Sequence, residues 1–198
     1  MSPILTKSPT LTKPLSLAKG QPLSLAKTAG SPLTRVVLGL GWEPASSLFG
    51  LFSGGSIDLD ASVACCDARG QVVDQVWFGR LVSHDGAIRH SGDNRTGDGD
   101  GDDEVITVDL RRLDPRIERL VVTITSWTGQ TFDRVAGASC RLGDGARTLA
   151  RYDLPGQGRH TALVMASLDR HGGAWDVTAL GRPAEARSLS DLVNRGLI

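Results

Sequence analysis

The segment SIDLDASVACC, residues 56–66, decides the fold class because its apolar residues recur at every second position. One face of this extended segment carries the apolar side chains Ile57, Leu59, Ala61, Val63 and Cys65. The opposite face carries Asp58, Asp60, Ser62, Ala64 and Cys66. Period two is the pattern of a β-strand with one face toward a core. We therefore expect Asp58 and Asp60 on the same face, at one edge of a sheet. Such carboxylates are usually solvated, but near a cation-binding loop they would complete its coordination shell.

Further segments of strand character lie on both sides, separated by Gly, Asp and Pro. They are residues 35–42, 72–79, 104–110, 119–127, 138–142, 148–154, 161–170 and 174–181. Ser188 and Asp191 have the spacing of a helix cap, which predicts a short C-terminal helix. The pattern predicts an all-β fold, a β-sandwich of short, mostly antiparallel strands over residues 15–198. Residues 1–14, rich in Pro, Ser, Thr and Lys, are expected to form a flexible tail.

The composition argues against several partners and compartments. Lys plus Arg equals Asp plus Glu, at 22 each, so no overall field favours a nucleic acid or an anionic membrane. Three cysteines are an odd number, which argues against a disulfide framework. The N-terminus lacks the apolar core of a secretory signal, and no apolar run approaches the roughly 20 residues that span a bilayer. We therefore expect a cytoplasmic protein without a transmembrane segment.

A second segment, SGDNRTGDGDGDDEVITVDL at residues 91–110, concentrates negative charge that only Arg95 offsets. Carboxylates 5–6 Å apart repel by about 0.7 kcal/mol even in water. A disordered, solvated loop relieves this repulsion, and so does a bound divalent cation such as calcium, which prefers oxygen ligands. Composition alone leaves both interpretations open.

The spacing of the acidic residues excludes an EF-hand. Asp98, Asp100 and Asp102 would take positions 1, 3 and 5, but Asp103 then replaces the required Gly and Asp109 the required Glu. The remaining interpretation is an irregular loop whose glycines permit sharp turns and whose end is held by the strand that follows it. Disordered acidic linkers do not usually run directly into a strand, which favours a cation site.

Both acidic motifs resemble the hallmarks of the TerD family of bacterial tellurite-resistance and stress proteins. The motifs are GDNRTGDGDGDDEVITVDL and GSIDLDAS. The segments LSLAKGQPLSLAK, VVLGLGW and LVMASLDRHGGAWDVTALG are similar to further parts of the family, so that the resemblance covers roughly residues 15–181. Asp98 stands where many members have Glu, and the segment ALGRPAEARS departs from the usual ending. These departures concern the subgroup and the partner.

The resemblance implies a β-sandwich that binds Ca²⁺ through acidic loops and has no established catalytic activity. The number of carboxylates would be consistent with two ions. The partners implied are other proteins of the tellurite-resistance and stress system at the inner membrane surface, with no direct nucleic-acid partner. Carried over position by position, the metal ligands are Asp58, Asp60, Asp93, Asn94, Thr96, Asp98, Asp100, Asp102, Asp103 and Glu104.

The main alternative is a Mg²⁺-dependent phosphohydrolase that uses the same Asp cluster. The chain has no P-loop lysine motif, no G-x-S-x-G elbow and no H-E-x-x-H motif. Its histidines show no zinc spacing. His84 and His90 precede the acidic loop and could approach it, but we expect them at the surface. Thiol chemistry would rest on Cys66 alone, since Cys65 is expected to face the core.

A calcium-dependent interaction module is the mechanistic extension of the family hypothesis. Calcium would order the 92–104 loop and so create a surface for a partner. The apolar insertion at residues 45–55 could then serve as an anchor. It could equally be a plug on one end of the core.

Overall fold

The computed structural model describes residues 15–16, 22–24, 33–43, 58–97, 101–135, 137–153 and 158–198. The predicted tail at residues 1–14 and the insertion at 45–55 lie outside the described residues, as do Asp98 and Asp100. Within the described part, the chain forms a β-sandwich of two six-stranded sheets, which confirms the predicted fold class.

The strands agree with the period-two segments of the sequence. In chain order they are β1 Leu15–Ser16, β2 Pro22–Ser24, β3 Arg35–Gly41, β4 Leu59–Cys66, β5 Val72–Val76, β6 Ile88–His90, β7 Glu104–Asp109, β8 Arg119–Ser126, β9 Ser139–Gly143, β10 Thr148–Asp153, β11 Ala162–His171 and β12 Ala174–Ala184. The sequence analysis missed β1, β2 and β6, which have only two or three residues each and so are too short to show a periodicity.

One sheet has the strand order β1-β10-β9-β3-β7-β6, and the other has the order β2-β12-β11-β8-β4-β5. The pairings between described strands are antiparallel, apart from the parallel pair of β1 and β10. β4, which carries Asp60, and β7, which begins at Glu104, belong to opposite sheets. A side chain that crosses between the sheets at this point can therefore connect the two acidic motifs.

The inner faces of both sheets supply one continuous hydrophobic core, as period two requires. Val36 and Leu40 of β3 pack in the same buried cluster as Leu59 and Val63 of β4 and Ile106 of β7. Burial of such side chains stabilises the fold by about 1.5–3 kcal/mol each. This core holds the two acidic segments at a fixed separation.

The predicted C-terminal helix, α1, spans Leu189–Asn194 and covers the outer face of the second sheet. Its N-cap is Ser188, whose hydroxyl accepts a hydrogen bond from the Asp191 N–H at 3.1 Å, as the spacing predicted. Leu189 packs against Cys66, so the outward face of β4 is buried as well. This burial raises the pKa of the Cys66 thiol, which makes the side chain a poor nucleophile.

Candidate metal centre

The N-terminal half of β4 lies at an edge of its sheet, as predicted for the two strand-borne carboxylates. β8 pairs with β4 along its whole length, from Leu59 to Cys66. β5 pairs with β4 only from Val63 onward. Among the described strands, the segment around Asp60 therefore has a neighbour on one side only.

Asp58 and Asp60 are buried at this edge, so the expectation that they are solvated is wrong. Asp58 is 6% exposed and Asp60 is 2% exposed. Within the described residues, Asp58 Oδ1 and both carboxylate oxygens of Asp60 have no hydrogen-bond donor. Buried polar groups are nearly always paired, and an ionised group without a partner costs several kcal/mol. These oxygens therefore need a proton or a cation.

Asp93 brings a third carboxylate from the acidic segment to the same place. One oxygen each from Asp58, Asp60 and Asp93 lies within 4.8 Å of the other two. Asp93 is exposed, so the group is buried on the β4 side and open to solvent on the loop side. We refer to Asp58, Asp60 and Asp93 as the carboxylate triad.

The surroundings of the triad disfavour its negative charges. Desolvation and the neighbouring carboxylates of Glu104, Asp58 and Asp93 raise the pKa of Asp60 to about 8. Desolvation and Asp93 raise the pKa of Asp58 as well. Since the available ligand atoms are all carboxylate oxygens, the triad fits a hard cation such as calcium or magnesium better than zinc or copper.

Asp102 and Asp103, two further predicted ligands, are used to dock the acidic segment onto β3. The Asp102 carboxylate forms an ion pair with Arg141 of β9. Asp103 Oδ2 accepts a hydrogen bond from the Trp42 N–H at 2.9 Å, and its Oδ1 accepts one from Asn94 Nδ2 at 3.0 Å. Both carboxylates face positive or donor groups, and among the described residues neither belongs to the carboxylates whose oxygens lie within 4.8 Å of one another.

The glycines of VVLGLGW leave the space for this docking. Asp102 passes directly over Gly39, where a Cβ would collide with its carboxylate. A Cβ on Gly41 would lie 2.9 Å from the carbonyl oxygen of Gly101. The β3–β9 register pairs Gly39 with Arg141, which is why the missing side chain opens the path between Asp102 and its partner.

Asn94 and Thr96 shape the loop that carries Asp93. Asn94 Oδ1 accepts hydrogen bonds from the N–H groups of Thr96 and Gly97, both at 3.2 Å. An asparagine that binds backbone groups two and three residues further on makes a tight turn. The ligand roles predicted for Asn94, Thr96, Asp98 and Asp100 stay predictions, the last two outside the described residues.

Glu104, the last predicted ligand, is completely buried between the sheets. Its Oε2 accepts a hydrogen bond from the Ala61 N–H at 2.7 Å, and its Oε1 accepts one from the Asn94 N–H at 3.4 Å. Within the described residues, Glu104 is not part of the group of carboxylates whose oxygens lie within 4.8 Å of one another. Its contacts therefore join β4 to the loop.

His90 is buried beside Glu104, so its predicted surface position is wrong. Its side chain is 0% exposed, and its Nε2 lies 3.1 Å from the Ala61 carbonyl oxygen and 3.5 Å from Glu104 Oε2. His84, by contrast, has a side chain that is 83% exposed, as expected. The sequence signal for His90 was its position two residues after the buried Ile88, on the same face of β6.

Aromatic residues that the sequence analysis did not single out border the triad. The Trp127 N–H donates to the Asp58 carbonyl oxygen at 3.2 Å. The Phe78 ring packs edge-on against Trp127, with centroids 5.4 Å apart, and against Trp77 at 4.8 Å. Trp127 is among the most exposed large apolar residues of the described chain. One exposed aromatic residue, Trp127, is thus hydrogen-bonded through its backbone to Asp58 of the triad.

Comparisons with known proteins agree with the fold and the motifs. The tellurium resistance protein TerZ of Serratia marcescens is 48% identical, with 90% of this chain and 94% of that protein covered. The stress response protein SCP2 of Bacillus subtilis is 34% identical over 91% of this chain and 98% of that protein. A crystal structure of a homologue of telluride resistance protein TerD from Streptomyces coelicolor superposes with a TM-score of 0.67 at 30% identity, covering 78% of this chain and 92% of that one.

These relatives carry names of resistance and stress proteins, and none of those names is enzymatic. Within the described residues, no helix is long and apolar enough to cross a membrane. Residues 14–195 match the family model described as the TerD domain. The chain therefore belongs to the TerD family of tellurium-resistance and stress proteins.

Proposed function

We propose that this protein is a non-enzymatic calcium-binding protein of a bacterial stress and tellurite-resistance system. The observation that carries the proposal is that, within the described residues, Asp58 Oδ1 and both oxygens of Asp60 are buried without a hydrogen-bond donor, beside Asp93. Ligand atoms that are all oxygens suit calcium, and a divalent cation would neutralise carboxylates that have no donor among the described residues. The names of the relatives support the biological setting.

The triad would hold the ion through its three side chains. Asp60 lies in β4 and Asp58 immediately precedes it, and both are buried, whereas Asp93 comes from the exposed side of the loop. Binding would therefore fasten the loop to the sandwich, which supports the hypothesis that calcium orders residues 92–104. A second ion would require further ligands, for which Asp98 and Asp100 remain the candidates.

The ordered loop would serve as an interaction surface. Calcium takes six to eight oxygen ligands, and three carboxylates supply at most six. Water or an oxygen atom of a partner would complete the shell on the open side. The exposed Trp127 next to Asp58 adds apolar area there. The proposed partners are other proteins of the same resistance and stress system at the inner membrane surface, in the cytoplasm.

Calorimetric titration of metal-stripped protein with calcium and then magnesium tests this function. We expect micromolar or tighter calcium binding, a raised melting temperature and a weaker magnesium response. Asp58→Asn and Asp60→Asn should each abolish the binding. Asp153→Asn is the matched control, because that side chain is 59% exposed and lies on the edge of β10 with Arg151 as its partner.

Two results would contradict the proposal. A preference for magnesium would favour the phosphohydrolase alternative and call for a substrate screen. Absence of binding of either ion would leave the triad without a metal role. The ordering claim has its own readout, since amide exchange across residues 92–104 should slow when calcium is added to the wild type.

A further inference from the structure

We propose that His90 and Glu104 are positioning residues that hold the carboxylate triad in place without binding the ion. The inference rests on the proposed calcium function. It says that these two residues hold the calcium ligands in position before the ion binds. It departs from the ligand role that the family resemblance implies for Glu104. The observations that carry it are four hydrogen bonds to the backbone on either side of the triad.

The first two hydrogen bonds hold the strand at Ala61, the residue after Asp60. Ala61 turns both of its backbone groups away from β8, toward the side that β5 leaves uncovered. Its N–H donates to Glu104 Oε2 at 2.7 Å, and its carbonyl oxygen lies 3.1 Å from His90 Nε2. Buried backbone groups are rarely left unpaired. The side chains of Glu104 and His90 therefore pair with the Ala61 backbone, next to Asp60, where β5 does not pair with β4.

The other two hydrogen bonds bracket Asp93. The Gly92 N–H donates to His90 Nδ1 at 3.0 Å, and the Asn94 N–H donates to Glu104 Oε1 at 3.4 Å. The residues immediately before and after Asp93 are thus bound by the same two side chains that bind Ala61. Through His90 and Glu104, the position of the loop carboxylate is set relative to β4.

The hydrogen bonds of His90 define its tautomer. A backbone N–H can only donate, so Nδ1 must accept from Gly92 and the ring hydrogen lies on Nε2, which donates to the Ala61 carbonyl. A neutral imidazole makes both bonds at once. Replacing it with another neutral side chain consequently changes the geometry of the site without changing its charge.

Glu104 is better suited to positioning than to ligation. Each of its oxygens receives a backbone N–H, so both have a partner without a cation. The orphaned oxygens of Asp58 and Asp60 have none within the described residues. Residues that orient metal ligands typically change the affinity by about 10–100-fold when they are mutated.

The decisive variants are His90→Ala and His90→Gln, compared with His84→Ala as the matched control on an exposed histidine. We expect His90→Ala to weaken calcium binding by about 10-fold or more, measured by calorimetry well below the melting temperature of the variant. His90→Gln can still donate to Ala61 and should recover part of the affinity. His84→Ala should bind as the wild type does. Calcium affinity of His90→Ala within about 2-fold of the wild type would overturn the proposal.

Amide exchange in the metal-free protein tests the same inference without calcium. The Gly92 amide should be protected in the wild type and lose its protection in His90→Ala and His90→Gln. Glu104→Gln should expose Ala61 or Asn94, because an amide group can accept only one of the two hydrogen bonds. If the wild type bound no calcium, the proposed function would fail, while unchanged exchange at these amides would refute the positioning network itself.

Discussion

Replacing Asp60 with asparagine should stabilise the metal-free protein at and above neutral pH while it abolishes the response to calcium. Asp60 is 2% exposed and has no donor within the described residues. Desolvation and the charges of Glu104, Asp58 and Asp93 raise its pKa to about 8. Asparagine has nearly the same shape but carries no charge, so it removes the electrostatic cost and the ligand together.

The magnitude follows from proton linkage. The pKa of Asp60 lies above its ordinary value of 3.8, so between about pH 4 and pH 8 the folded state keeps a proton that the unfolded state has lost. This contribution to stability is complete below pH 4 and is lost as the pH rises toward 8. From pH 6 to pH 8 the loss is about 2 kcal/mol, which screening on the open side reduces to about 1–2 kcal/mol.

Thermal melts of both proteins in chelator, at pH 6, 7 and 8, measure this difference. For a chain of this size, 1–2 kcal/mol corresponds to a shift of a few degrees in melting temperature. The melting temperature of Asp60→Asn minus that of the wild type should therefore increase by about 2–8 °C from pH 6 to pH 8. Added calcium should raise the wild-type melting temperature and leave the variant unchanged. A difference that stays constant with pH, or a variant that still binds calcium, would refute the reasoning.

Further predictions concern the competition with protons and the docking of the acidic segment. Calcium binding at pH 7 should release protons, so that the calorimetric enthalpy depends on the buffer; equal enthalpies in two buffers would contradict this. The calcium affinity should also rise by up to about 10-fold per pH unit below pH 8. Asp102→Asn removes the charge that pairs with Arg141 and should weaken calcium binding less than Asp58→Asn does, because Asp102 is not in the triad; equal losses in the two titrations would place Asp102 in the site. Gly39→Ala places a Cβ in the Asp102 carboxylate and should destabilise the fold by about 1–3 kcal/mol in urea unfolding, whereas an unchanged midpoint would show that the segment can move aside.

Most of the fold could be predicted because a strand with one buried face has apolar residues at every second position, and this alternation is visible in the sequence. The alternation in residues 56–66 placed Asp58 and Asp60 on one face, and the structure keeps them together within the triad. It could not show that both residues are buried, because the residues that pack at this edge, such as Glu104 and His90 at Ala61, come from the opposite sheet. The alternation was therefore correct, but the solvent exposure expected for Asp58 and Asp60 was wrong.

The roles of individual acidic residues could be predicted only in part. Asp93, Asp102 and Asp103 are near neighbours in sequence and have the same side chain, yet each turns to a different environment. The β3–β9 register brings Arg141 opposite Gly39 and so gives Asp102 a cation of its own. Strand registers between distant segments leave no trace in a local pattern.

The division of labour among the carboxylates follows from where the donors are. Backbone N–H groups donate to Asp103 and Glu104, and the Asp102 carboxylate forms an ion pair with the Arg141 guanidinium. These three carboxylates therefore have partners without an ion. Within the described residues, by contrast, Asp58 Oδ1 and both carboxylate oxygens of Asp60 are buried without a hydrogen-bond donor. Together with the nearby Asp93 carboxylate, these oxygens are the acidic groups that the proposed cation would neutralise. Missing hydrogen-bond donors, rather than the density of acidic residues, are therefore the reason for proposing Asp58 and Asp60 as ligands.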